Sequence, residues 1–199
     1  RLEDIRYANR ARPDYIGFVF AESKRRVTAE KARELREKLD AGITPVGVFV
    51  NAEIENIAAL VNGRVIDMVQ LHGNEDRAYI SRLRETCAAP IIKAVRLGHG
   101  EHPPEDADLR TAYGADYILL DSGAGSGITF DWRIVERWTA ASDFGNAFFL
   151  AGGINGNNIH RAVALAPFCV DVSSGAETDG AKDIEKMTAL TASCRGYGM

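Results

Sequence analysis

An α/β fold closed as a (β/α)8 TIM barrel is the class this sequence predicts, and three observations carry it. Runs of strand length such as Tyr117-Ile118-Leu119-Leu120 are apolar at successive positions, as burial on both faces of a parallel sheet requires. These runs alternate strictly with helical patterns, so each connection is a right-handed crossover to a parallel strand. Ionisable residues and glycine loops collect just past the runs, at the strand ends where such sheets carry their chemistry. Seven strands follow a leading helix, so the eighth is expected ahead of Arg1. A doubly wound open sheet is the competing architecture. No linker or low-complexity segment divides residues 1–199, which predicts one domain.

Leu2 to Asn9 reads as a helix, and Tyr15 to Phe20 as the first visible strand. The charged turn Glu22-Ser23-Lys24-Arg25-Arg26 follows. Thr28 is the expected N-cap of a helix reaching about Leu39, with Ala32, Leu35 and Leu39 on one face and a Glu34–Lys38 pair outside. Val46 to Val50 is a strand, and Asn51 is expected to cap a helix carrying Ile54, Ile57, Ala58 and Val61. Ile66 to Leu71 is a strand ending in His72-Gly73, and its helix aligns Ile80, Leu83 and Cys87. Ile91 to Val95 is a strand, followed by a polar loop with Pro103-Pro104 and a short helix from about Asp106 to Tyr113. The strand from Tyr117 delivers Asp121 into the loop Ser122-Gly123-Ala124-Gly125-Ser126-Gly127, before Phe130-Asp131-Trp132 opens a helix through Ile134, Val135 and Trp138. Phe148 to Ala151 runs into Gly152-Gly153, and a helix starts near Asn157. Val170-Asp171-Val172 is the last strand, leading to Ser173-Ser174-Gly175. Asp183 opens the final helix, with Ile184, Met187 and Leu190 inward.

A net charge of -4 gives no electrostatic reason to expect nucleic acid or a membrane surface as partner. No apolar run approaches the roughly 18 residues of a membrane span. Three widely spaced cysteines, Cys87, Cys169 and Cys194, form no disulfide framework and no CxxC, which favours a reducing compartment. All three read as packing residues. The opening Arg1-Leu2-Glu3-Asp4 is charged and helix-like rather than a leader. The expected location is cytoplasmic.

Asp121, at a strand end before a flexible loop, is placed to act as an acid or base; the alternative is that it orders the turn. The loops at Gly152-Gly153 and at Ser173-Ser174-Gly175 follow the last two strands, where barrels commonly bind phosphate. Glycine lets backbone N–H groups approach a bulky anion, and serine hydroxyls add donors. Structural turns are the alternative. Arg25 could grip a carboxylate with two hydrogen bonds, or stand in a solvated turn. His72, on the same side of its strand as Gln70, could donate a hydrogen bond or shuttle a proton, or be satisfied locally. His99-Gly100-Glu101-His102 lies in a loop without an evident third ligand, so no metal site is expected.

These pieces, taken together, resemble one family. Phe18-Val19-Phe20 with Ser23-Lys24-Arg25, Val46 to Asn51, Val69-Gln70-Leu71-His72-Gly73, Leu119-Leu120-Asp121, Gly125-Ser126-Gly127 with Phe130-Asp131-Trp132, Leu150-Ala151-Gly152-Gly153 and Asp171-Val172-Ser173-Ser174-Gly175 occur in the order found in phosphoribosylanthranilate isomerases of tryptophan biosynthesis. The resemblance spans essentially the whole chain. It implies a barrel that works without a cofactor on a small phosphosugar, by an Amadori rearrangement from aminoaldose to aminoketose, as a monomer or homodimer. It implies Asp121 as the general acid and Arg25 as the holder of the anthranilate carboxylate. It further implies the Gly152-Gly153 and Ser173-Ser174-Gly175 loops as the phosphate clamp, and Gln70, His72 and Asp171 are the further candidate substrate-binding residues.

The departures bear on the base. The family's general base is a cysteine at the end of the first strand, a position that falls a few residues ahead of Arg1. Lys24 stands where the family usually has proline, and the loop from Ser122 to Thr129 is short. The alternatives are another phosphosugar barrel or a phosphate-ligand-binding barrel without activity. A lysine-dependent synthase would want a lysine at a strand end, whereas Lys93 sits within a strand; an epimerase would want metal ligands.

Overall fold

The computed structural model describes residues 1–96, 114–121, 133, 135–136 and 147–196. The glycine loop after Asp121, Phe130-Asp131-Trp132, the His99–His102 stretch and the helix expected over 106–113 lie outside the described residues. The chain divides into two compact units.

In the first unit, helix α1 (Leu2–Ala11) precedes strand β1 (Tyr15–Val19), α2 (Ala29–Arg36), β2 (Thr44–Phe49), α3 (Ile54–Asn62), β3 (Met68–Leu71), α4 (Arg77–Thr86) and most of β4 (Ile91–Arg96). The strands pair in parallel in chain order, with Val19 beside Val48, Val48 beside Gln70, and Gln70 beside Ile92. All four residues of β3 are buried. Ala32 and Leu35 of α2, Ile57 of α3, and Ile80 and Leu83 of α4 are buried on their helices' apolar stripes. Each fully buried Leu or Ile contributes about 1.5–3 kcal/mol, and this burial holds the unit together. Thr28 accepts from Lys31 N–H at 3.2 Å and Asp76 from Tyr79 N–H at 2.8 Å, so both helices start on side-chain caps.

The second unit contains β5 (Tyr117–Asp121), β6 (Phe148–Ala151), α5 (Ile159–Ala164), β7 (Cys169–Val170), a 3₁₀ turn (Ser174–Ala176), the hairpin β8 (Glu177–Thr178) with β9 (Ala181–Lys182), and α6 (Ile184–Gly196). β5, β6 and β7 pair in parallel, with Asp121 beside Ala151 and Leu150 beside Val170. Ile118, Leu119, Leu120, Phe148 and Leu150 are almost fully buried. At the opposite end of the strands from Asp121, Tyr117 meets Phe149 edge-on at 5.5 Å.

Several local expectations change. Asn51 does not cap α3; Glu53 holds that position, while Asn51 takes a left-handed φ of 49°. Helix α2 stops at Arg36, short of Lys38, and Glu34 pairs instead with Lys31 at 2.8 Å. β3 begins at Met68, two residues later than expected. β7 ends at Val170: Asp171 still donates its N–H to Leu150 O, and the chain then turns. A hairpin absent from the sequence expectations follows Ser173, with Asp179-Gly180 as its turn. Both turn residues have positive φ, 52° and 78°, as a two-residue hairpin turn requires. Cys87 is buried but Cys194 is exposed on α6, so packing does not account for all three cysteines.

Candidate active site

Asp121 closes β5 as a half-buried carboxyl, directly beside Ala151 on β6. The chain beyond Ala151 turns through Gly152 and Gly153, with φ of 99° and 64°. Those angles strain any residue with a Cβ, so glycine is the residue that can turn here. An asparagine lattice then fixes the loop. Gly153 O accepts from Asn155 and Asn158 side chains at 3.1 Å each, and Asn158 Oδ1 accepts from Asn155 N–H at 2.8 Å.

The second loop locks against the first. A Cβ on Gly175 would lie 2.0 Å from Ile154 O and 2.8 Å from Asn155 Cα. Only a glycine allows that approach. Ser173 and Ser174 stay exposed, with Ser173 O held by Lys182 Nζ at 2.9 Å. The paired loops and α6 border a cleft of about 580 Å³ lined by Gly153, Ile154, Asn155, Ser174, Gly175 and Lys186, among others. The Glu177 carboxylate also borders the cleft, paired with Lys182 at 3.0 Å, and Lys186 Nζ donates to Glu177 O at 2.6 Å, so the groups that suit an anion here are the glycine backbone and the exposed serine hydroxyls. Asp171 is half-buried at the end of β7 and donates its backbone N–H to Leu150 O at 2.8 Å. The structure therefore gathers Asp121, Gly152, Gly153, Asp171 and Ser173-Ser174-Gly175 at the ends of three adjacent strands of one unit.

In the first unit, Gln70 and His72 act as a pair. The buried Gln70 amide donates from Nε2 to His72 Nδ1 at 3.0 Å, which leaves the ring proton on Nε2 as a donor. His72 N–H donates to Phe49 O at 2.8 Å. Arg25 is exposed in the loop after β1, where its N–H donates to Ser23 Oγ at 3.1 Å. Its neighbour Arg26 pairs with Glu22.

Behind the His72 turn lies a group that sequence reading missed. Glu75 and Lys93 form an ion pair of 2.9 Å with their side chains 1% and 3% exposed. Glu75 also accepts from Asn51 N–H at 2.7 Å and Gly73 N–H at 2.9 Å, and Lys93 donates to Gly73 O at 2.6 Å. Burial pushes the Glu75 carboxyl up, but the bonds from Asn51 and Lys93 outweigh it and hold it below its usual value. Burial, with the nearby carboxylates of Glu75 and Glu53, pushes the Tyr79 hydroxyl up to about 12. That hydroxyl donates to Ala52 O at 2.6 Å. The available signal was a glutamate three residues past His72 and a lysine inside an otherwise apolar strand.

Comparison with known proteins shows the family. Residues 1–192 match the family described as N-(5'phosphoribosyl)anthranilate (PRA) isomerase. A relative of that name from Endomicrobium trichonymphae is 46% identical over 193 residues, covering 94% of this chain and 90% of its own. The crystal structure of phosphoribosyl anthranilate isomerase from Thermus thermophilus is 32% identical with a TM-score of 0.83, covering 98% of this chain and 94% of that one. A crystal structure of a phosphoribosyl anthranilate isomerase in complex with reduced 1-(o-carboxyphenylamino)-1-deoxyribulose 5-phosphate is 32% identical with a TM-score of 0.78, covering 98% of this chain and 94% of that one. The fold class is the α/β barrel class read from the sequence. Full-length likeness in sequence and in fold leads to one conclusion: the chain belongs to the phosphoribosylanthranilate isomerase family.

Proposed function

We propose that this protein converts N-(5-phosphoribosyl)anthranilate to 1-(2-carboxyphenylamino)-1-deoxyribulose 5-phosphate, the Amadori step of tryptophan biosynthesis. The observation that carries the reading is the register of Asp121 beside Ala151, one residue ahead of the interlocked glycine loops. An acid and an anion clamp on adjacent strand ends suit a substrate whose reacting sugar carries a phosphate.

The Gly152-Gly153 and Ser173-Ser174-Gly175 loops hold the phosphate through backbone N–H groups and the serine hydroxyls. Arg25 grips the anthranilate carboxylate with two parallel hydrogen bonds. Fixing both ends confines the sugar to a reactive pose. Asp121 gives a proton to the furanose ring oxygen as the C1–O bond breaks, and the amine lone pair forms the iminium. A base then removes the proton from C2, and those electrons neutralise the iminium to leave an enol, which tautomerises to the ketone. The family resemblance gives the base role to a cysteine. Gln70 orients His72, whose Nε2–H donates to a substrate oxygen, and Asp171 contributes at the clamp end. The protein works in the cytoplasm on a small phosphosugar, as a monomer or homodimer. Among the described residues no helix is long and apolar enough to cross a membrane.

Steady-state turnover with inorganic phosphate as competitor tests the reading. Phosphate should raise KM and leave kcat unchanged. A protein without turnover, or one whose KM ignores phosphate, contradicts it.

A further inference from the structure

A buried ion pair is an expensive way to fill space, because desolvation of the two charges often exceeds their attraction. Apolar residues of similar size would pack the position of Glu75 and Lys93 at least as well. What apolar residues could not do is hold backbone polar groups, and this pair holds three. Glu75 takes the N–H of Asn51, past the end of β2, and the N–H of Gly73, past the end of β3. Lys93, on β4, takes Gly73 O.

These bonds constrain one residue in particular. The peptide before His72 is fixed by its N–H on Phe49 O. The peptide after His72 is fixed by Gly73 N–H on Glu75. The next peptide is held at both ends, by Lys93 on Gly73 O and by Asn51 Oδ1 on Asn74 N–H at 2.8 Å. Both backbone dihedrals of His72 are thus tied down. Gly73 is packed so tightly that an added Cβ would lie 2.5 Å from Asn51 Oδ1. Lys93 pairs in register with Leu71, so it lies behind the side of β3 that carries Gln70 and His72.

We infer that Glu75 and Lys93 are positioning residues: their buried pair sets the backbone of His72 and so aims its ring at the substrate. The inference rests on the assignment of His72 as a substrate ligand.

The test is the double variant Glu75→Gln/Lys93→Met in the full-length protein, which removes both charges and strands neither. Two quantities are read, the His72 ring nitrogen resonances without substrate and the KM for phosphoribosylanthranilate. The expected result is shifted or broadened ring resonances, with KM raised about tenfold and kcat changed less. Parent resonances together with parent KM would show a pair that only fills space, and would overturn the inference. Shifted resonances with an unmoved KM would uphold the positioning and overturn His72 as a ligand. If the double variant does not fold, Gly73→Ala displaces the same turn without touching a charge, and the same two readings apply.

Discussion

At Arg25, the expected effect of a substitution is on binding. The side chain stands exposed on the loop after β1. Arg25→Ala should raise KM by roughly 10- to 100-fold, the worth of a charge-assisted pair of hydrogen bonds, with a smaller change in kcat. Arg25→Lys should recover little of this, since an ammonium cannot make the two-pronged contact. Steady-state kinetics of the two variants checks both statements. A KM equal to the parent's would remove Arg25 from the site.

Two elements carry predictions of their own. The interlocked loops depend on Gly175, and Gly175→Ala must push Ile154 O and Asn155 aside. A cost of about 1–3 kcal/mol is expected, as for other overpacked positions, together with weaker competition by inorganic phosphate. Calorimetry and the phosphate inhibition constant read the two effects. The turn after β3 predicts a pH dependence. The Glu75 carboxyl is held below its usual 4.5, so it binds its proton less readily folded than unfolded. Its contribution to stability is therefore complete above the unfolded value, and is lost as pH falls through the lower folded value. Melting temperatures of the parent should fall in acid more steeply than those of Glu75→Gln/Lys93→Met. Parallel curves would show that Glu75 does not carry this dependence.

Across the whole molecule, what the sequence revealed was what neighbours in the chain decide. Asp121 could be placed at a strand end because four apolar residues precede it. Gly152-Gly153 and Ser173-Ser174-Gly175 could be read as turns of special geometry because glycine marks them. The Glu75–Lys93 pair was hidden because its members are 18 residues apart and meet only after β3 and β4 align. The role of Asn51 is hidden for the same reason: its side chain serves Asn74, 23 residues on, rather than the helix beside it. The hairpin at Glu177–Lys182 was passed over because two-residue strands are too short to show a period. At this scale we propose that residues 1–199 form a single domain. Scanning calorimetry should show one melting transition, and two separated transitions would contradict that.

If Asp121 donates the proton that opens the sugar ring, turnover of Asp121→Asn beside the parent shows it. Asparagine keeps the shape and loses the proton. The expected result is isomerase turnover in the parent and a kcat lower by about 10²- to 10⁴-fold in the variant, with KM nearly unchanged. A variant that turns over at the parent's rate would contradict it.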